Sequence, residues 1–412
     1  MANDSDLERI QRSDSSMSRQ SVALSSLSLT SAVVNTAKPP IVLSIGSRII
    51  RCGVAGEFEP RYSILTKELC PNATIDQLST KDGLKIAESL LKRIFFDIMT
   101  IDSRGGRVLI VESPFCPTNV RNVLCQTLME KLDVGQVSFA PSPLMATLPF
   151  NILTAFVLEV GHSEVLAMPI NENVTMISQC YLSQRTGRAV FERAAQLLRI
   201  HARVEENGQQ RELSDQEWSQ HGENFVEKFV EQYAFCTTRT RATEIKEKGN
   251  EVVLQPRTAE ARIRFGALMV MVPGFVRETV FEVFFDEDDP ENFTDPSIPK
   301  MVHNAILRCP IDMRRKFFES LLVCGGLARA TGFLSRLKEE IIAISTKKST
   351  ICGMEPKFFH FKEAKAEPML GWIGGSLLAA CQYSLQIRSI SRDDWNKTKR
   401  VPDWTDFISE AA

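Results

Sequence analysis

A five-residue string occurs twice in this chain and limits its fold more than any other feature. Val42-Leu43-Ser44-Ile45-Gly46 and Val157-Leu158-Glu159-Val160-Gly161 both follow the pattern Val-Leu-x-(Ile/Val)-Gly. Each is a short apolar run stopped by glycine, which reads as a buried strand ending in a turn. Apolar residues resume at Ile49-Ile50 and Val54 after the first string and at Val165-Leu166 after the second, so each predicts a β-hairpin. One hairpin repeated far along a chain points to two related halves.

Between the hairpins, Arg107-Val108-Leu109-Ile110-Val111 reads as a core strand. Val120, Val123, Leu124, Leu128 and Leu132 then recur at helical spacing, as do Val190, Ala194, Leu197 and Leu198 further on. Alternating strand and helix places the chain in the α/β class. The polar run from Glu205 to Glu223 predicts a surface loop or insertion. Asp286-Glu287-Asp288-Asp289, ahead of Pro290 and Pro296, predicts an exposed acidic loop, followed by a helix from about Pro299. Residues 1–38 are rich in Ser, Thr, Asn and charge, a composition that cannot bury enough apolar surface to offset chain entropy, and predict a disordered tail before the strand at Ile41.

With 412 residues, 43% of them hydrophobic, the chain can form two large cores. Lys and Arg total 49 against 51 Asp and Glu, so no overall field exists to hold nucleic acid or an anionic membrane, and partners must be recognised by shape. The ten cysteines are scattered singly, without the close pairs of a zinc site, and read as small buried hydrophobes in a reducing cytosol. The apolar stretch around Val33 is too short and polar for a secretory signal. Phe265–Phe285 is broken by Pro273, Arg277 and Glu278 and does not span a bilayer.

Three later stretches carry a family resemblance. Cys309-Pro310-Ile311-Asp312-Met313-Arg314-Arg315 with Leu322-Val323-Cys324-Gly325-Gly326 resembles the helix, strand and double-glycine turn near the nucleotide of the actin family. Trp372-Ile373-Gly374-Gly375-Ser376 is similar to the later actin motif in which a glycine pair opens a helix, and Ile390-Ser391-Arg392-Asp393-Asp394-Trp395 to the actin C-terminal segment. At the other end Gly46-Ser47, Gly53-Val54-Ala55-Gly56 and Pro60-Arg61 resemble the first phosphate hairpin. The resemblance implies the fold shared by actin, heat-shock chaperones and sugar kinases: two related halves, each a central mixed sheet flanked by helices. It divides the chain into an outer half, residues 39–153 with 366–412, and an inner half, 154–365. The outer half would carry a shortened small subdomain at about 62–94, and the inner half an insertion at about 184–265.

The same resemblance locates a degenerate nucleotide site at Gly46, Ser47, Glu159, Gly161, Gly325 and Gly326. Two glycine turns would aim backbone N–H groups at phosphates, and carboxylates would hold the waters around Mg²⁺. Ser44 and His162 stand where the family has two of its three carboxylates, and Glu159 where it has the other. Arg48 replaces a turn glycine and can either pair with a phosphate or fill its space. Ser142 and Leu166 replace the glutamine and histidine that position and deprotonate water, so hydrolysis is not expected. On the adenine side Ala330 replaces a stacking tyrosine, Val230 a lysine, and Glu231 persists. No cofactor is required on this reading, although weak or structural ATP or ADP binding remains open. Gly325-Gly326 and Gly374-Gly375 are equally explained as tight turns that the fold needs without ligand. His162 reads as a turn residue, His303 as packed or snorkelling, and Trp372, Trp395 and Trp404 as packing anchors.

Within the family, Ala140-Pro141-Ser142-Pro143-Leu144-Met145-Ala146, the Cys-Pro-Ile-Asp string at 309–312 and the ending through Arg400-Val401-Pro402-Asp403-Trp404 resemble the branch at the pointed end of dynactin. That implies a cytoplasmic, non-enzymatic cytoskeletal subunit. Its partners would be the actin-related filament subunits of dynactin, the other pointed-end subunits and, indirectly, dynein. The alternative is an actin-related subunit of a nuclear chromatin-remodelling complex, for which the chain lacks a run of five basic residues that would direct import. An active ATPase is the remaining reading.

Overall fold

The computed structural model describes residues 38–401 apart from 72, 207–208, 250–256, 288–294, 346–350, 352, 361–365 and 382–388. The chain divides after Lys38 into two units, and every described strand and helix belongs to the unit from Pro39 onward; the expected tail and Trp404 lie outside the described residues.

Both repeated strings form the expected hairpins. Strand β1 (Ile41–Ile45) turns at Gly46 into antiparallel β2 (Ile49–Val54), in register from Ile41 opposite Val54 to Ile45 opposite Ile50. β3 (Tyr62–Leu65) continues the meander, β4 (Arg107–Glu112) lies parallel to β1, and β5 (Gln136–Pro141) lies parallel to β4. The second set repeats this plan. β6 (Ala155–Val160) turns at Gly161 into antiparallel β7 (Val165–Asn171), beside which run β8 (Val174–Thr175) and β9 (Tyr181–Ser183). β14 (Leu321–Cys324) is parallel to β6 and β15 (Phe358–Phe359) parallel to β14. Order and direction therefore match strand for strand, with β16 (Ser389–Ser391) added antiparallel to β5 at the outer edge.

The central strands are apolar throughout because both faces of each sheet are covered. Leu43 of β1 packs with Phe95 and Leu124 on one side, while Val42 packs with Leu109, Val111 and Trp372 on the other. In the second sheet Phe156 and Leu158 face one core and Val157 faces Leu166, Leu322 and Leu370. The helices Ser142–Thr147 and Leu370–Ala380 lie where these inner faces meet: Met145 and Trp372 belong to the outer cluster, Ala146 and Leu370 to the inner one. They form the floor between the two sheets. The helix predicted from Val120 starts at Thr118, runs to Gln126 and widens into a π turn over Thr127–Lys131, which keeps Leu128 and Leu132 in the core.

The polar run at Glu205–Glu223, expected as a loop or insertion, is not a loop. It contains parts of strand β10 (Arg203–Glu206) and helix Asp215–Gln232, with strand β11 (Gln209–Glu212) between them. β10 and β11 join β12 (Ala261–Phe265) and β13 (Leu268–Val272) in a four-stranded antiparallel sheet. The helix start was legible as a capping box, in which the Ser214 hydroxyl accepts from Glu217 N while the Glu217 carboxylate accepts from Ser214 N. The described acidic residues at 286–287 lie outside helix and strand on the surface as expected, where Asp286 also pairs with Lys246 at 2.8 Å and Glu287 with Lys300 at 2.7 Å. Most described cysteines are buried as expected, but Cys381 is exposed at a helix end. In contrast to the inner half, residues 62–94 hold no sheet of their own among the described residues. After β3 come a one-turn helix, Thr66–Leu69, a 3-10 turn, Ile75–Ser79, and helix Gly83–Lys92.

Candidate functional site

The two hairpin turns close identically. Gly46 N donates to Ile49 O at 3.2 Å and Gly161 N to Glu164 O at 2.9 Å. A Cβ at either glycine would sit 2.7 Å from Ile49 O or 2.6 Å from Glu164 O, too close for any other residue. The amides of Ser47 and Arg48 in the first turn, and of His162 and Ser163 in the second, have no acceptor among the described residues. Ser47, Arg48 and His162 line one cleft of about 450 Å³ between the halves, together with Phe191, Trp218 and Glu227.

The glycine pairs part company here. Gly374 and Gly375 are packing residues, since side chains there would strike Met145 O and Val111 and push the two floor helices and the outer sheet apart. Gly325 has φ +101°, and a Cβ would strike Val160 O where β14 meets the end of β6. Gly326 is different: a Cβ there would meet nothing within 4 Å, so packing does not demand its glycine.

Charge at the site departs from what a hard cation needs. Glu159, beside Cys324 on the neighbouring strand, accepts a hydrogen bond from Ser142 Oγ at 2.8 Å. Burial pushes its carboxyl up to about 7; the Ser142 bond opposes that rise, Glu164 adds to it, and Arg51 opposes it. The His162 imidazole is held down to about 4 by burial and then by Arg48 and Arg188, so it is neutral at pH 7, edge-on to Phe191 at 5.6 Å. With Ser44 a hydroxyl, the set is one carboxyl titrating near neutrality, one alcohol and one neutral imidazole. No group of three or more His, Cys, Asp or Glu with metal-holding geometry occurs among the described residues. These side chains do not fit a Mg²⁺ ion, whereas backbone amides without an acceptor, as in the two turns, are donors of the kind a phosphate takes. Leu166 lies opposite Glu159 on β7, fully buried, and offers no proton acceptor for water.

Sequence reasoning alone does not single out Arg51. It lies on β2 directly opposite Ser44, its Nε is buried without a partner, and its guanidinium charge acts on Glu159. The available signal is an arginine alternating with the buried Ile50 and Cys52 in a strand that otherwise reads as core. Arg48 lines the cleft and makes its contacts within the chain. Its side chain crosses the cleft, lies 4.1 Å from the Phe191 ring centre, and pairs with Glu231 at 3.0 Å. The glutamate expected on the adenine side is thereby engaged, Val230 beside it is buried, and Ala330 packs against the inner core. His303 is buried with Nε2 unpartnered. Trp372 is a packing anchor whose indole N–H donates to Val42 O at 3.0 Å, and Trp395 is likewise buried.

Two matched sheets, each with a glycine-turn hairpin facing a common cleft, define an actin-type fold. Residues 83–400 match the actin family, well over half of the chain, and the chain belongs to that family. It is 23% identical to actin-related protein 10 of Dictyostelium discoideum, covering 89% of each chain. It is 22% identical to putative actin-29 of the same organism, covering 84% of this chain and 81% of that one. An actin-like protein of Neurospora crassa is 24% identical, with 88% of this chain and 96% of the relative covered. No helix among the described residues is long and apolar enough to cross a membrane.

Proposed function

We propose that this chain is a structural, cytoplasmic subunit of dynactin that caps the pointed end of its short actin-related filament and so serves dynein-driven transport, without turning over ATP. The reading rests first on how its two ends differ. Thr66 donates through its amide to Arg48 O at 2.8 Å and through its hydroxyl to Gly46 O at 2.9 Å, so the stretch after it is tied to the glycine-turn end. There the outer half has helical turns in place of a second sheet, and little reaches out to hold a further subunit. At the opposite end of β6 and β7, Leu153 and Val174 are 55% and 57% exposed, on backbones joined by the bond from Asn173 N to Leu153 O. An apolar pair at one end and a trimmed surface at the other suit a subunit that docks onto a filament and stops it. The likeness to actin-related protein 10 supports the same branch of the family.

Affinity purification of the tagged chain from cells, with identification of partners, tests this. Dynactin subunits are expected with the wild type, and much less with Leu153→Asp combined with Val174→Asp. Recovery of chromatin-remodelling subunits in their place would overturn the proposal.

A further inference from the structure

Beyond the floor helices, the two halves meet again across the cleft, and the contacts there are ionic. Arg48 of the first glycine turn reaches helix Asp215–Gln232 of the inner half, pairing with Glu231 at 3.0 Å and Glu227 at 3.6 Å while stacking on Phe191. Lys67, on the one-turn helix after β3, pairs with Glu223 and Glu227 of the same helix, both at 3.0 Å. Glu223, Glu227 and Glu231 recur at four-residue spacing on one face of that helix, so a single acidic stripe receives both cations. The Arg48 and Glu227 side chains are only 17% and 20% exposed, and aromatic stacking shields the guanidinium further, which strengthens this contact over an ordinary surface pair. Glu223 is 76% exposed, so its pair with Lys67 is solvent-screened and contributes less.

We propose that Arg48 and Lys67 form an ionic latch that holds the cleft closed from within the chain, with no nucleotide needed to bridge the halves. Arg48 is drawn out of its turn by the acidic stripe, and Lys67 is brought over by the short helix that stands where a small sheet would otherwise begin. Closure in turn narrows the cleft that both glycine turns face. Access to them is then governed by ionic strength and by the charge on the stripe.

Hydrogen exchange of the full-length, nucleotide-free protein, read by mass spectrometry on the peptide covering residues 187–195, tests this. That segment of helix Gly187–His201 is hydrogen-bonded, lines the cleft through Arg188, Phe191 and Glu192, and contains neither latch cation nor a carboxylate of the stripe. Arg48→Glu is expected to speed exchange there by about threefold to tenfold, as is Lys67→Glu to a smaller degree. Combining Arg48→Glu with Glu231→Arg, which leaves Glu227 to Lys67, brings exchange back below that of Arg48→Glu alone. Raising salt from about 0.1 to about 1 M, which shortens the Debye length from about 10 to about 3 Å, speeds exchange in the wild type and has less effect on Arg48→Glu. If Arg48→Glu does not fold, the Lys67 variant and the wild-type salt series decide the matter alone. Exchange at 187–195 that ignores salt and both single substitutions, or a charge swap as fast as the single variant, would overturn the latch.

Discussion

At Glu159 a carboxyl group carries less charge than its position in the fold invites. Its folded value of about 7 lies above the ordinary 4.5, so the folded state binds the extra proton between those two values. Stability therefore falls as pH rises through that window and levels off above it. Glu159→Gln keeps the acceptor for Ser142 Oγ and removes the titration, so it should flatten the pH profile and gain roughly 1–3 kcal/mol at pH 8. Thermal melts of both proteins from pH 5 to 8 check this, and a variant less stable than the wild type at pH 8 would count against it. The same residues predict phosphate release from ATP no faster than the blank, because Ser142 and Leu166 cannot take a proton from water. A measurable rate that disappears with Glu159→Ala would contradict that. The lost carboxylates at Ser44 and His162 were legible as residue types in the chain. The direction taken by Arg48 was not, because Glu227 and Glu231 reach it only through folding, and an arginine in a turn gives no hint of a partner so distant in sequence.

Among the elements, the two hairpins were the most legible because their strands are buried on both faces and a glycine closes each turn. Apolar run, stop and return then survive in the sequence. The small inner sheet was the least legible. Its strands β10 (Arg203–Glu206), an inner strand, and β11 (Gln209–Glu212), an edge strand, are short and polar, and their only fully buried side chain is Val204, so no period of two stands out. Glycine patterns were visible but not their meaning, since the close approach that makes Gly374 obligatory exists only once two helices are packed. Gly374→Ala should cost about 1–3 kcal/mol or more by forcing the floor helices apart. Gly326→Ala, with open space around its Cβ, should change stability by less than about 0.5 kcal/mol. Urea midpoints of the two variants against the wild type decide this, and equal losses would refute the distinction.

On the proposed function, one end of the molecule docks onto a filament and the other does not extend it. Head-to-tail filaments use two different surfaces of each subunit, and growth stops where one surface is missing. Here residues 62–94, beside the glycine turns, hold no sheet of their own among the described residues, and Lys67 pairs inward with Glu223, while the far end keeps Leu153 and Val174 exposed. The most direct measurement adds the purified, labelled protein to preformed, polarity-marked filaments of the dynactin actin-related protein and images them by fluorescence microscopy. Label at the pointed end alone is expected, with subunit addition blocked there. Label distributed along filament bodies, with growth continuing at both ends, would contradict it.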